Sequence, residues 1–163
     1  MSHSEIKEKI LVWIAEENLE ILQDTKDEKT NFILTIKSKG KSIHNIPLNV
    51  ISSKVQEGLV LGFTAKFKDE DHKSFLGTDK KHRQEMLEEL GAGAGLSTSG
   101  FIFTSNSKGT IFRGTKMIYP DGITKDRFFM TIAGLSGITN ILFIYSRSTS
   151  LLHPKRTVLE FET

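Results

Sequence analysis

A glycine-rich segment at residues 91–95 has a spacing like that of phosphate-binding loops, with Gly91, Gly93 and Gly95 separated by alanines. Such loops need a strand before the glycines and a helix after them, because N–H groups of the helix N-terminus bind the anion. Here a predicted helix precedes the glycines and a predicted strand follows. The segment is therefore interpreted as a helix-to-strand connector, and no cofactor is expected. Gly109 and Gly114 are not interpreted as a phosphate-binding loop either, because they lie in a predicted hairpin and no helix follows them directly.

Histidine and carboxylate side chains could hold a metal ion. The histidines are five: His3, His44, His72, His82 and His153. None is paired with another at the helical spacing of a zinc site. His72 follows the acidic residues 69–71, which could bind a divalent ion or form the solvated first turn of a helix. The second interpretation is favoured, so no metal site is predicted.

Candidate acid–base and nucleophilic residues form no recognisable catalytic motif. Glu85, Glu88 and Glu89 share a predicted helix with basic residues at 80, 81 and 83, which is typical of an exposed, ion-paired face. No Gly-x-Ser-x-Gly motif occurs, and the serine-rich segment 96–100 lacks that spacing. The sequence has no cysteine, which excludes thiolate nucleophiles and thiolate metal sites. We predict that the protein is not an enzyme.

The length and composition indicate a single soluble domain over residues 1–163, whose α+β class follows from the element order given below. Hydrophobic residues make up 37% and charged residues 26%, and the net charge is +2. A chain of this length buries enough surface to fold without disulfides or metals. The N-terminal residues lack the basic start and apolar core of a secretory signal. The expected location is therefore the cytoplasm.

Basic side chains near two predicted hairpins raise the alternative of nucleic-acid binding. The first group is Lys37, Lys39 and Lys41. The second group is Arg113, Lys116, Lys125 and Arg127. Such groups attract phosphate backbones, but the predicted strands lack the aromatic recognition run of an RNA-binding sheet. Because lysines on edge strands also discourage aggregation, nucleic acid is not the expected partner.

Hydrophobic spacing predicts the helices and strands. An apolar stripe predicts a first helix over residues 4–18, and other helices are predicted at 69–90, with a break near 77–78, and at 124–145. Predicted strands cover residues 19–23, 31–37, 42–50, 58–67, 101–105, 111–119 and 157–161. Short turns between consecutive strands require antiparallel pairing. We therefore predict an α+β fold with helices packed mainly on one face of an antiparallel sheet.

The longest uncharged segment, residues 128–146, is long enough to span a membrane. An interior helix is the favoured interpretation, because the rest of the chain is typical of a water-soluble domain; a membrane is not the expected partner. The residues predicted to face the sheet are Phe128, Ile132, Leu135, Leu142 and Tyr145. Another flank would carry Ala133, Gly137 and Asn140, against which the N-terminal helix or a helix of a second copy could pack. We expect a homodimer through this flank.

One segment resembles a known family. Residues 118–129 read Ile-Tyr-Pro-Asp-Gly-Ile-Thr-Lys-Asp-Arg-Phe-Phe, which is similar to a signature of the domain of unknown function 2299 family, found largely in archaea. The segment Ile10-Leu11-Val12-Trp13 and the segment Asp71-His72-Lys73 are also similar. The likeness covers most of the chain, and its most specific part is residues 121–127.

The resemblance implies the element order α-β-β-β-α-β-β-α, like that of type III secretion chaperones. Those proteins are small and often dimeric, bind partner polypeptides and have no enzymatic activity. The resemblance implies no catalytic or cofactor-binding residues. We expect a non-enzymatic, chaperone-like or regulatory protein-binding module whose sheet surface or helix flank takes up a segment of a protein partner. The alternatives are a nucleic-acid-associated regulator and a small-molecule enzyme without a recognisable motif.

Overall fold

The computed structural model describes residues 1–39, 47–67, 69–97, 100–106 and 108–151. The helices are α1 (His3–Glu16), α2 (Asp69–Gly77), α3 (Lys80–Ser97) and α4 (Lys125–Leu151). The strands are β1 (Leu19–Thr25), β2 (Thr30–Ser38), β3 (Leu48–Ser53), β4 (Leu59–Lys66), β5 (Gly100–Asn106) and β6 (Gly109–Ile118). A short 3-10 helix, Pro120–Gly122, lies between β6 and α4.

Helix α1 begins at a capping box and has one buried face. The Ser2 hydroxyl accepts a hydrogen bond from the Glu5 N–H (3.2 Å), and the Ser2 N–H donates to the Glu5 carboxylate (2.6 Å). This reciprocal pairing satisfies backbone donors at the helix start. Ile6, Ile10 and Ile14 recur at four-residue spacing and are buried, which confirms the predicted apolar stripe.

The six strands form one sheet in the order β1-β2-β3-β4-β6-β5. Every neighbouring pair is antiparallel, which confirms the predicted α+β class. The order along the chain differs from the implied one in two details: four strands precede the central helices, and the central region holds two helices. Spacing alone predicts four strands in this part of the chain; the first, at residues 19–23, corresponds to β1, which pairs with β2 across a bulge between Ile21 and Gln23.

The helices pack on one face of the sheet, as predicted. Side chains of β2 alternate, and one set, which includes Phe32 and Ile36, is buried on this face. The Lys7 amine of α1 lies 5.9 Å from the Phe32 ring centroid. The Phe75 ring of α2 lies 5.8 Å from the Phe67 ring, just after β4. Both helices therefore cover the same set of strand side chains.

The opposite face of the sheet carries an apolar row. Ile33, Ile51, Val60 and Met117 are cross-strand neighbours in β2, β3, β4 and β6. All four are half-buried, because adjacent side chains on one face of a sheet cover one another. This face is the wetter one, as predicted, although it is not wholly polar.

The central helical region breaks between α2 and α3, which confirms the predicted break. The Asp79 carboxylate accepts hydrogen bonds from the N–H groups of Lys81 (3.0 Å) and His82 (3.3 Å). A carboxylate at this place satisfies unpaired N–H groups and interacts favourably with the helix dipole. Asp79 therefore begins a new helix after Gly77 and Thr78.

The connector predicted for residues 91–95 is wrong, because α3 continues through these glycines to Ser97. Among the described residues, the glycines with positive φ are Gly58 and Gly109, so those of α3 keep a helical backbone. Each glycine in a helix costs about 1 kcal/mol relative to alanine. Packing of α3 along α4 offsets this cost, since tertiary contacts supply most of the stability of a helix in a protein.

Helix α4 extends past its predicted end at residue 145. Phe128, Leu135 and Leu142 are buried and Ile132 is half-buried, as predicted; the Tyr145 side chain is not among those described. No helix within the described ranges has the length and hydropathy of a membrane span. Outside these ranges lie the predicted strand 157–161 and the residues Lys41, His44 and His153.

Candidate binding groove

The two edge strands of the sheet, β1 and β5, differ in how well they are protected against pairing with a further strand. Strand β1 contains a bulge, and its acidic residues pair with lysines: Glu20 lies 3.1 Å from Lys37, and Asp24 lies 2.7 Å from Lys7. Bulges and charged side chains discourage pairing with a further strand. Strand β5 has the uncharged sequence GFIFTSN. It pairs with β6 along its whole length, Gly100–Asn106, without a bulge. In the described part of the chain, no strand pairs with the outer side of β5.

The side chains of β5 alternate between the helix face and the opposite face. Phe103 lies on the helix face, where its ring centroid is 5.0 Å from that of Phe112 and 5.8 Å from that of Phe75. Ile102 lies on the opposite face and is 59% exposed. Within the described part of the chain, this edge thus has aromatic rings on its helix side and an accessible aliphatic side chain on the other.

A groove of about 340 Å³ lies between β5 and the helices α2 and α3. Its apolar lining consists of Phe75, Leu76, Leu87 and Phe103. Its polar lining consists of Lys80, Arg83, Gln84 and Ser105. The lining residues of α3 recur at three- and four-residue spacing, so one face of this helix forms a wall of the groove. The volume is within the range of small ligand pockets.

Both charged residues of the groove are cationic. Arg83 Nη1 donates a hydrogen bond to the Leu76 carbonyl (3.2 Å), and the guanidinium carbon lies 5.9 Å from the Phe75 ring centroid. These contacts hold the guanidinium against α2, but one carbonyl takes only one of its five N–H donors. Among the described carboxylates, none lies within ion-pair distance of Lys80 or Arg83. The groove therefore offers charged donors to an anionic occupant.

The ion-paired face predicted for this helix lies outside the groove. Glu85 lies 3.8 Å from Lys81 and 4.0 Å from His82. Lys80 and Arg83 were predicted to belong to the same face, but they turn toward β5 instead. The reason is helical geometry, because residues 80, 83 and 87 follow the apolar wall of α3 whereas 81 and 85 follow its outer side.

A buried hydrogen-bond network lies beneath the groove. The Ser105 hydroxyl is 3.0 Å from the Thr110 hydroxyl, which is 2.8 Å from His72 Nδ1. Thr110 and His72 are buried. His72 was expected in a solvated helix start, but it shares the inner face of α2 with Phe75, three residues later. The described side chains include no group of three or more that could hold a metal ion.

This network reaches the groove through Ser105. Thr110 separates Ser105 from the imidazole, so the serine hydroxyl and the histidine do not form a direct pair. Because Ser105 lines the groove, its hydroxyl lies where an occupant can contact it and has the buried Thr110 hydroxyl as a hydrogen-bond partner. The arrangement suits hydrogen bonding to a ligand.

The predicted surface of Ala133, Gly137 and Asn140 shares no residue with the groove. All three residues are exposed, and they lie on one face of α4 with Met130, which is 75% exposed. An added Cβ at Gly137 would meet no atom within 4 Å. Helix α1 contacts α4 near its start, at Phe128, and leaves this flank uncovered. Homodimerisation through the flank stays a prediction.

The second predicted group of basic residues does not form one surface. Arg113 and Lys116 are three residues apart in β6, so their side chains point to opposite faces of the sheet. Lys125 lies 2.8 Å from Glu17 and 2.9 Å from Glu16 at the end of α1. Hydrogen bonds to Glu17 and then Glu16 raise the pKa of Lys125 above its ordinary value. One member of the group is thus engaged in holding α1 against α4.

A protein-family sequence model matches most of the chain that forms the described fold. The model of an uncharacterized conserved protein, DUF2299, matches residues 6–142. The chain belongs to the DUF2299 family. The match confirms the resemblance and includes every strand of the sheet, both groove helices and most of α4. The groove of this DUF2299 protein therefore lies within the family region.

The fold of this DUF2299 protein is also similar to that of a solved structure. The crystal structure of an uncharacterized protein from Methanothermobacter thermautotrophicus covers 88% of this chain and 99% of its own, with a TM-score of 0.74 and 14% identity. At that identity the similarity establishes the fold alone. None of the curated proteins matches the chain.

Sequence reasoning misses the groove, although two signals for it are present. The first is the uncharged run of residues 100–106, which lacks the charges of a protected edge. The second is the spacing of Lys80, Arg83 and Leu87, which places cations and an aliphatic residue on one helix face. The spacing does not show that this face lies beside the edge strand.

Proposed function

We propose that this DUF2299 protein is a non-enzymatic protein-binding module that takes up an extended segment of a partner by strand addition to β5. The observation that carries the proposal is the uncharged, bulge-free edge of β5 beside an apolar groove. A chaperone-like or regulatory role in the cytoplasm would use such a module to hold a partner polypeptide.

Strand addition uses both parts of this surface. An added strand forms main-chain hydrogen bonds to the edge, which supply affinity for any extended segment. Every second side chain of the added strand then points to the same face. One set would enter the groove above Phe75 and Phe103, and the other set would lie beside Ile102. Side-chain selection in the groove would supply specificity.

The groove lining also favours binding over catalysis. Four of its eight residues are apolar, two are cations, one is an amide and one is a hydroxyl. Apolar linings with a few polar groups orient a ligand. A general acid and base with opposed proton affinities would be needed for proton-transfer catalysis, and the lining residues do not supply such a pair.

A fluorescently labelled heptapeptide library tests the proposal. Threonine occupies alternate positions for β propensity, and the other positions vary among apolar, acidic, basic and amide residues. We expect saturable binding by fluorescence anisotropy. N-methylation of the peptide N–H groups that face β5 should weaken the best peptide at least about tenfold, because it removes main-chain hydrogen bonds.

Two matched controls accompany this experiment. N-methylation of the alternate N–H groups, which face away from β5, should leave the affinity nearly unchanged. Leu76→Asp, at a groove residue that is 45% exposed, should weaken binding, whereas Val12→Asp, at a residue of α1 that is 55% exposed, should not. Equal sensitivity to both methylation patterns, or to both substitutions, would overturn strand addition at β5.

A further inference from the structure

We propose that the segment bound at β5 is acidic, with a carboxylate side chain between Lys80 and Arg83 and a large apolar side chain two residues later, against Phe103. This inference rests on the proposed strand addition and specifies the chemistry of the partner. It follows from the charge of the groove and from the direction of α3 relative to β5.

Charge complementarity selects a carboxylate. Lys80 and Arg83 both line the groove, and neither forms an ion pair with a carboxylate among the described side chains. The guanidinium is held by the Leu76 carbonyl and by the Phe75 ring. A fixed guanidinium matches the planar, two-oxygen geometry of a carboxylate, and such hydrogen bonds are stronger than neutral ones.

Helix α3 and strand β5 run in opposite directions. Ser97 ends α3 and Gly100 begins β5, so the end of the helix adjoins the start of the strand. The first turns of α3, by contrast, line the groove with Phe103 and Ser105, in the second half of β5. Lys80 therefore lies nearer the Asn106 end of β5 than Leu87 does.

This direction sets the order of the partner's side chains. An antiparallel segment would enter at the Asn106 end of β5 and leave at the Gly100 end; antiparallel pairs are the more stable arrangement. Its groove-facing side chains recur every second residue. The first would meet the cations, and the next would meet Leu87 and Phe103. The expected motif, from N- to C-terminus, is acid-x-apolar.

A peptide fits this surface better than a small amphiphilic acid does. A fatty or aromatic acid would satisfy the cations and the apolar lining. It would form no main-chain hydrogen bonds to the outer side of β5, an edge that is uncharged, free of bulges and not paired with another strand among the described residues. The edge and the groove together therefore point to a polypeptide.

Four labelled heptapeptides test the inference on the full chain. Threonine surrounds a central Glu-x-Leu, Gln-x-Leu, Lys-x-Leu or reversed Leu-x-Glu motif. We expect Glu-x-Leu to bind about tenfold more tightly than Gln-x-Leu, the effect of one charge-assisted hydrogen bond. The reversed motif should bind about as weakly as Gln-x-Leu, because its carboxylate would lie over the apolar part of the groove.

A charge-reversal variant tests whether the preference for Glu-x-Leu arises in the groove. Lys80→Glu should remove most of the preference for Glu-x-Leu and improve the binding of Lys-x-Leu. Lys26→Glu, an equal charge change at an exposed residue between β1 and β2, should leave the preference unchanged. Decanoate at millimolar concentration is included as a competitor that has a carboxylate but no peptide backbone.

The outcomes separate this inference from the proposed function. Equal binding of all four peptides, with sensitivity to N-methylation at β5 retained, overturns the acidic motif and leaves strand addition standing. Failure of every peptide overturns both. Saturation of the groove by decanoate with no peptide binding assigns the groove to a small amphiphile and also overturns both.

Discussion

At the scale of single residues, Thr110 connects the groove to the interior. Its hydroxyl lies between His72 Nδ1 and the Ser105 hydroxyl, and the residue is fully buried. Thr110→Val keeps the shape but leaves the buried imidazole nitrogen without this partner. We expect a loss of about 1–3 kcal/mol in the free energy of unfolding, measured by urea denaturation. Thr104→Val, at an exposed residue of β5, should change it by less than about 0.5 kcal/mol; equal effects would contradict the network.

Alanine substitution at two glycines should change the free energy of unfolding in opposite directions. A Cβ at Gly114 would lie 2.5 Å from the Phe63 ring, so Gly114→Ala should destabilise the protein by about 1–3 kcal/mol. A Cβ at Gly91 would meet nothing within 4 Å, and Gly91→Ala should stabilise α3 by up to about 1 kcal/mol. Thermal and urea unfolding check both changes. Destabilisation by Gly91→Ala would contradict the continuation of α3 through the glycines.

At the scale of elements, the capping box makes the stability of α1 depend on pH. Hydrogen bonds from the backbone and side chain of Ser2 lower the pKa of Glu5 below its ordinary value. A lowered pKa in the folded state contributes stability above the unfolded pKa, and this contribution is lost as pH falls through the folded one. The contribution of Glu5 should therefore be complete at neutral pH, begin to decrease near the ordinary glutamate pKa of about 4.3, and be lost as the pH falls further through the lowered pKa of the folded state.

The comparison of wild type with Glu5→Gln measures this contribution. The difference in their free energies of unfolding should be largest near neutral pH and should shrink at acid pH. Asp27, whose pKa is lowered chiefly by the Lys29 N–H, is present in both proteins and cancels from the difference. A difference that grows on acidification would contradict the reciprocal bonds of the capping box.

Local patterns predict the elements better than their arrangement. The isoleucines of α1 and the alternation in β4 follow directly from helix and strand periodicity. The predicted end of the central helix at the glycines of residues 91–95 is wrong, because packing of α3 against α4 outweighs the low helix propensity of glycine. The edge position of β5 follows from the pairing of β4 with β6. That contact joins distant parts of the chain and leaves no local signal, so the groove beside β5 is not predictable from spacing.

At the scale of the whole molecule, the exposed flank of α4 tests the expected homodimer. Light scattering at micromolar concentration should give twice the mass of one chain. Gly137→Leu should restore the mass of one chain, because a large side chain would prevent close helix approach. Gly77→Leu, at another exposed glycine with open space around it, is the matched control. A single-chain mass for the unmodified protein would contradict the prediction.

The central claim is that an extended segment adds to the outer side of β5. Amide hydrogen exchange of the full chain, with and without a saturating Glu-x-Leu heptapeptide, tests it most directly, since hydrogen-bonded amides exchange slowly. We predict slower exchange of β5 amides in the complex, with unchanged exchange in β1 at the opposite edge. Unchanged exchange of β5, or protection confined to residues 133–140 of α4, would contradict the claim.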